Sequence, residues 1–394
     1  MSACARTELP RRGLREHLAG LLSLALASCL AVTTEMLPVG LLPAIGDSFH
    51  VPDSVTGLLV SLYAVMVALL AVPLTLATAR FARKPLLLTT LLCYALSNAL
   101  VAVAPSFAVL AAGRAIGGLT HALFFSLCIG YVPRMVSGTQ VGRALALATG
   151  GASAGFIVGV PLSTSLGTAL GWRTSFGVLA GLSILTLLLV ARLLPPVGNH
   201  SPPPAAREHG SRTALAAVVA SNAVTYLGQF TLFTFISLLF LDAGAPPALI
   251  GPLLLLCGLC GLVGLTYAAS SLDHRPRRTI TITLTVAIAA VLAIGAGFPA
   301  LLPVVAAAAV WSSAFGGLPS IYQACAVRTH AVSSELAGAW INASANVGIA
   351  GGAAIGAGLL PLIGLGALPW ASAALIGLGL LVSLVARRSF PSRV

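Results

Sequence analysis

The chain has 394 residues, 58% hydrophobic and only 8% charged, with a mean hydropathy of +1.02. Soluble globular chains carry about 25% charged residues, so this composition cannot cover a water-solvated surface. A soluble enzyme, a nucleic-acid binder and a disordered chain are all excluded. A membrane span needs about 20 apolar residues, which leaves room for roughly a dozen. The apolar runs are continuous, not alternating as in a barrel, so the spans are helical.

Breaks at charged, Pro and Gly clusters predict twelve spans. Spans 1 to 6 lie near 18–45, 55–78, 85–104, 107–130, 141–168 and 174–194, and spans 7 to 12 near 213–241, 249–270, 279–298, 301–327, 335–360 and 368–386. The first 16 residues are polar and the apolar run after them is too long for a cleavable signal. The Pro-rich stretch 195–212 reads as a linker. The expected organisation is an N-terminal segment 1–17, a six-helix half 18–194, the linker, a second half 213–386 and a tail 387–394.

The net charge of +12 is distributed by side rather than by ligand. Arg6, Arg11, Arg12, Arg15, Arg80, Arg83, Lys84, Arg134, Arg143, Arg192, Arg207, Arg212, Arg275, Arg277, Arg278, Arg328, Arg387, Arg388 and Arg393 fall on one face of the predicted bundle. Arg173 falls on the other and Arg114 inside span 4. The positive-inside rule therefore places both termini and the linker in the cytoplasm, and the basic charge implies no nucleic acid. Arginine outnumbers lysine so strongly that a G+C-rich bacterial source and its plasma (inner) membrane are expected.

In chain order, Glu35 of span 1 comes first. A carboxylate at mid-span costs roughly 2.5–3.5 kcal/mol on insertion scales, so it must face the bundle interior or a wet cavity, where a titrating acid can couple protons. Arg114 and His121 of span 4 are two turns apart and share a face. At 1.5 Å per residue they lie roughly 10 and 21 Å from the outer end, with Glu35 roughly 15 Å down span 1. The three are expected to form one proton-coupling cluster, His121 also touching substrate. Asn222, Tyr226 and Gln229 make one polar stripe on span 7; Gln323 on span 10 and Asn342 and Asn346 on span 11 add amides able to read hydroxylated ligands. The same groups also suit interhelical hydrogen bonds. Cys257 and Cys260 form a CxxC without nearby His or carboxylate and read as packing residues.

The halves repeat. The loop Ala79–Lys84 recurs 194 residues on as Asp273–Arg278, and Gly151, Gly155 and Gly159 recur as Gly348, Gly352 and Gly356. These GxxxG ladders invite close helix approach, here expected between the halves. Parallel six-helix repeats with a site between them are an alternating-access architecture.

These residues carry a family resemblance. The stretches TTEMLPVGLLPAI (33–45), GGLTHALFFSL (117–127) and GWRTSF (171–176), with Gly228–Thr231 and Thr234–Phe235, resemble the major facilitator superfamily. Within it they are similar to the bacterial drug/proton antiporters and their sugar-efflux branch. The family's G-x-x-x-D-R-x-G-R-K loop has Thr75, Ala79 and Ala82 at its two Gly and one Asp positions, but keeps Arg80, Arg83 and Lys84. Gln229 and Leu238 stand where the family often has His and Pro. The resemblance implies an all-α integral membrane fold of twelve helices in two pseudo-symmetric halves, and an intracellular gate at Arg80, Arg83, Lys84, Asp273, Arg275, Arg277 and Arg278.

No Walker A loop, metal-ligand spacing or catalytic triad appears in the sequence. The chain is therefore expected to be no enzyme and to need no cofactor or ATP; its partners are the lipid bilayer, protons and a small molecule. The reading is proton-coupled export of sugars or related hydroxylated compounds. Drug efflux is the alternative within transport, and a non-transporting receptor or scaffold the alternative outside it.

Overall fold

A computed structural model describes residues 14–78, 80–132, 135–136, 141–197, 211–272, 275–332, 334–386 and 389–390. Among these, twelve helices are long and apolar enough to cross a membrane. Span 1 is Leu18–Phe49, span 2 Asp53–Ala77, span 3 Arg83–Ala102, span 4 Phe107–Tyr131 and span 6 Trp172–Leu193. Span 5 joins Val141–Ala154 to Val160–Leu170 through a π-helical turn at Gly155–Gly159. Span 7 is Arg212–Phe233, broken at Thr234 and Phe235 and continued as Ile236–Asp242. Span 8 is Ile250–Ser271, span 9 Pro276–Gly297, span 10 Leu301–Val327, span 11 Ser334–Ile363 and span 12 Leu368–Val385. The sequence boundaries hold to within a few residues; the π turn and the break in span 7 were not foreseen.

Ends follow local chemistry. Ser106 and Ser211 accept from the backbone N–H groups of Val109 and Ala214 at helix starts, the usual Ser N-cap. Pro276 opens span 9, where its missing N–H costs nothing.

Small residues set the packing inside each half. A side chain at Gly151 or Gly155 would strike the backbone of Ala25 or Cys29, and one at Gly159 the Thr33 side chain, all on span 1. In the second half Gly348, Gly352 and Gly356 press on Ala223, Leu227 and Thr231 of span 7 in the same way. The ladders thus join span 5 to span 1 and span 11 to span 7. They do not lie between the halves, which corrects the sequence expectation. Lipid tails are as apolar as side chains, so close packing of this kind replaces the hydrophobic drive.

The halves meet unevenly. Met36, Val39, Leu42, Val60, Ala64 and Val160, all from the middle or distal part of their spans, share one apolar core with the second half. The Ser61 hydroxyl donates to Ala350 O at 2.9 Å, and the Ser237 hydroxyl to Val39 O at 2.7 Å. Toward the face that carries the termini, Leu21, Leu24, Leu87, Leu91, Phe124 and Leu194 form a core with no residue of the second half. Among the described residues, the packing between halves is therefore concentrated in the middle and distal parts of the bundle.

Candidate functional site

Two prolines in span 1 shape the centre. A helical N–H normally serves the carbonyl four residues back, and proline has none. Pro38 and Pro43 lie inside span 1, so Thr34 O and Val39 O lose their helical donors. Arg114 supplies the first: its Nη1 donates to Thr34 O at 2.5 Å and its Nη2 to Glu35 O at 2.7 Å. Ser237, from the other half, supplies the second. The guanidinium also sits 4.2 Å over the Tyr63 ring, a cation–π contact strengthened by burial.

With Arg114 engaged on backbone, the Glu35 carboxylate faces a different partner. Its Oε2 lies 3.7 Å from His121 Nε2, and both side chains are buried. Tyr63 Oη is 3.0 Å from His121 Nδ1. A hydroxyl donating to Nδ1 leaves the neutral ring's own proton on Nε2, the nitrogen that faces Glu35. Gly117 and Gly118 make room for Tyr63, since a Cβ on either would run into it. Phe125 lies 4.8 Å from the imidazole, ring centre to ring centre, and Tyr94 presents its ring at 6.5 Å. Asn98 Nδ2 donates to Thr34 Oγ1 at 3.1 Å, fixing span 3 to the same turn of span 1.

The second half presents an aromatic wall. Tyr226 stacks on Phe230 at 6.2 Å and meets Phe315 edge-on at 5.3 Å. Phe233 contacts Phe230 and Trp311, and stacks at 5.5 Å on Phe156, which belongs to the π turn of span 5. The wall thus reaches the first half through Phe156, and Met36, the neighbour of Glu35 in span 1, shares one apolar core with Tyr226, Phe230 and Phe233.

The pattern of the Major Facilitator Superfamily matches residues 24–334. The chain belongs to that superfamily. A Mannheimia succiniciproducens protein named "Probable sugar efflux transporter" is 30% identical over 366 residues, covering 89% of each chain. A Mycobacterium tuberculosis protein named "Chloramphenicol efflux pump" is 31% identical over 386 residues, covering 93% of this chain and 92% of its own. Among solved structures, a bacterial homologue of the lysosomal transporter Spinster, in an inward-facing and unoccupied conformation, aligns with a TM-score of 0.76. It is 15% identical, covers 95% of this chain and 98% of its own, and speaks to fold alone.

In this major facilitator chain the amides named from sequence divide into two groups. Asn222 Nδ2 donates to Ile341 O at 3.0 Å and to Ser344 Oγ at 2.8 Å, and Asn346 Nδ2 to Asn342 O at 3.0 Å. Their donors are spent inside the second half, while the Oδ1 atoms of Asn222 and Asn346 have no partner among the described residues. Gln229 is buried, shares its stripe with Tyr226 and Phe233, and its side chain makes no hydrogen bond among the described residues. Gln323 lies against Gly338, joining spans 10 and 11.

Of the basic residues named as a gate, Arg80, Lys84 and Arg277 are engaged within their own halves. Lys84 Nζ donates to Ala191 O at 2.7 Å and Leu194 O at 2.6 Å, capping span 6. Arg277 Nη2 donates to Leu384 O at 3.3 Å and caps span 12. Arg80 lies 5.5 Å over the Phe81 ring, and Arg83 also has a partner. Arg275 and Arg278 are exposed, and Asp273 lies outside the described residues. Tyr63, Tyr94, Asn98 and, apart from Tyr226, the aromatic wall were not singled out from sequence. Pro38 and Pro43 were the signal that could have found the carbonyl partners.

Proposed function

We propose that the protein is a proton-coupled exporter of small hydroxylated molecules, working by alternating access from a bacterial inner membrane with both termini in the cytoplasm. The observation that carries this is Glu35: a buried carboxylate in ion-pair range of a histidine, with the neighbouring arginine committed to backbone carbonyls. A proton taken up by this carboxylate is balanced by no fixed salt bridge, so substrate and proton compete for one electrostatic site. Release toward the termini side follows in the state described above, and the distal contacts then re-form around a new proton.

The unpartnered Oδ1 atoms of Asn222 and Asn346 and the amide of Gln229 suit hydroxyl groups, and the aromatic wall suits the apolar face of a sugar ring. That wall equally supports a second reading, export of an aromatic drug. The two named relatives divide along the same line. Flux of a sugar and drug panel in vesicles of purified protein, with an imposed pH gradient, tests both. Flux that ignores the gradient for every compound would refute proton coupling.

A further inference from the structure

On the termini side of the second half, a cleft of about 480 Å³ opens between the end of span 8 and the start of span 9. It is lined by Tyr267, Ser271, Arg275, Arg278, Thr279 and Ile282. Its walls are built: Thr279 Oγ1 donates to Ser271 Oγ at 3.1 Å, and Ser271 Oγ to Tyr267 O at 2.7 Å, tying the two spans together. Those hydroxyl protons are already used. The guanidinium groups of Arg275 and Arg278 are not: neither has a hydrogen bond, ion pair or ring contact among the described residues. In the same stretch Arg277 and Arg328 cap helix ends, so among the described residues Arg275 and Arg278 are the cations open to a ligand at this cleft.

The repeat supplies an internal comparison. Lys84 caps Ala191 O in the first half and Arg277 caps Leu384 O in the second, each pair 193 residues apart. That cap-based spacing is one residue short of the 194 read from the loop sequence, and it matches Arg275, Arg278 and Tyr267 with Ala82, Pro85 and Leu74. The helix framework is shared, yet the cationic lining occurs in the second half alone. Framework packing therefore does not require these arginines.

We propose that this cleft binds the phosphate of an anionic phospholipid headgroup. Two guanidinium groups give planar, multidentate donors to phosphate oxygens, and the Tyr267 hydroxyl adds a third donor. Ile282, which is 37% exposed one turn deeper along span 9, meets the start of an acyl chain. Basic pockets between helices at the membrane surface hold lipid headgroups in this way.

Native mass spectrometry of the full chain, released from micelles containing phosphatidylglycerol or phosphatidylcholine, tests the site. Phosphatidylglycerol should be retained well above phosphatidylcholine. Arg275→Gln/Arg278→Gln should lower its apparent affinity by about thirtyfold, from the usual contribution of two surface cations. Arg192→Gln/Arg212→Gln removes the same charge from the same face and should leave retention nearly unchanged. If the Gln pair does not fold, Arg275→Lys/Arg278→Lys keeps the charge, loses the planar fork and should still weaken retention by about threefold. Equal loss in the target and control pairs, unchanged retention in the Lys pair, or equal retention of the two lipids would overturn the site. Displacement of phosphatidylglycerol by millimolar inorganic phosphate would reassign the cleft to free phosphate and overturn the lipid assignment.

Discussion

Arg114 meets Thr34 at a carbonyl that Pro38 has freed. The 2.5 Å bond from Nη1 therefore replaces a helical hydrogen bond instead of adding to one, and Nη2 extends the brace to Glu35 O. The arginine holds the kinked backbone of span 1, and the carboxylate side chain is left to His121. Arg114 and Glu35, expected to share one proton-coupling cluster, thus touch through the backbone.

This arrangement predicts coupling between positions 114 and 38. Arg114→Gln should destabilise the protein by about 3 kcal/mol, the scale of two charge-assisted bonds partly replaced. Pro38→Ala restores an N–H for Thr34 O, so the loss on Arg114→Gln should shrink by about 1 kcal/mol in that background. A double-mutant cycle of unfolding midpoints measures the difference. Strict additivity would mean that the brace does not act through Thr34.

The distal closure should depend on two serines. Ser61→Ala with Ser237→Ala removes the hydrogen bonds to Ala350 O and Val39 O, at about 1 kcal/mol each. Together they should shift the balance of open and closed distal ends by roughly tenfold to thirtyfold. Spin-label distances across the distal face read the populations. An unchanged distribution would remove these bonds from the closing mechanism.

Gly352 packs against the Leu227 carbonyl and Thr231 of its own half. Gly352→Val should therefore unfold or aggregate the second half, costing about 3 kcal/mol or more from overpacking. Size-exclusion profiles after purification check this. A stable variant defective only in state switching would return the ladder to the interface between halves.

A reporter fused after residue 394 should read cytoplasmic, because nearly all the basic residues fall on the face that carries the termini. An external signal there would invert the orientation and, with it, the direction assigned to transport.

The twelve spans were legible because a bilayer demands about 20 apolar residues per helix, and few sequences satisfy that by accident. Glu35, Arg114 and His121 stood out for the same reason: charge is costly in that setting. Tyr63 and Tyr94 did not, since a tyrosine in an apolar run differs from its neighbours by one hydroxyl. The ladders showed where a helix is thin but not which helix fills the gap, because spacing records periodicity and not partners. The π turn at Gly155–Gly159 does have a local signal, Pro161, which withholds the helical donor from Ile157 O, whereas the break at Thr234–Phe235 has no proline or glycine at it. Lys84 and Arg277 read as gate charges from their loop, yet each reaches a helix end more than 100 residues away in sequence.

Glu35→Gln tests the central claim most directly, because it keeps size and hydrogen bonding while removing the titratable proton. In vesicles of purified protein with an imposed pH gradient, the variant should fold, bind substrate and exchange it for substrate across the membrane. Its binding should lose most of its dependence on pH, and uphill transport should fall to the level of empty vesicles. His121→Gln, which leaves the carboxylate in place, should show a smaller defect. Full pH-driven uphill transport by Glu35→Gln would contradict the account and leave Glu35 as a structural acid.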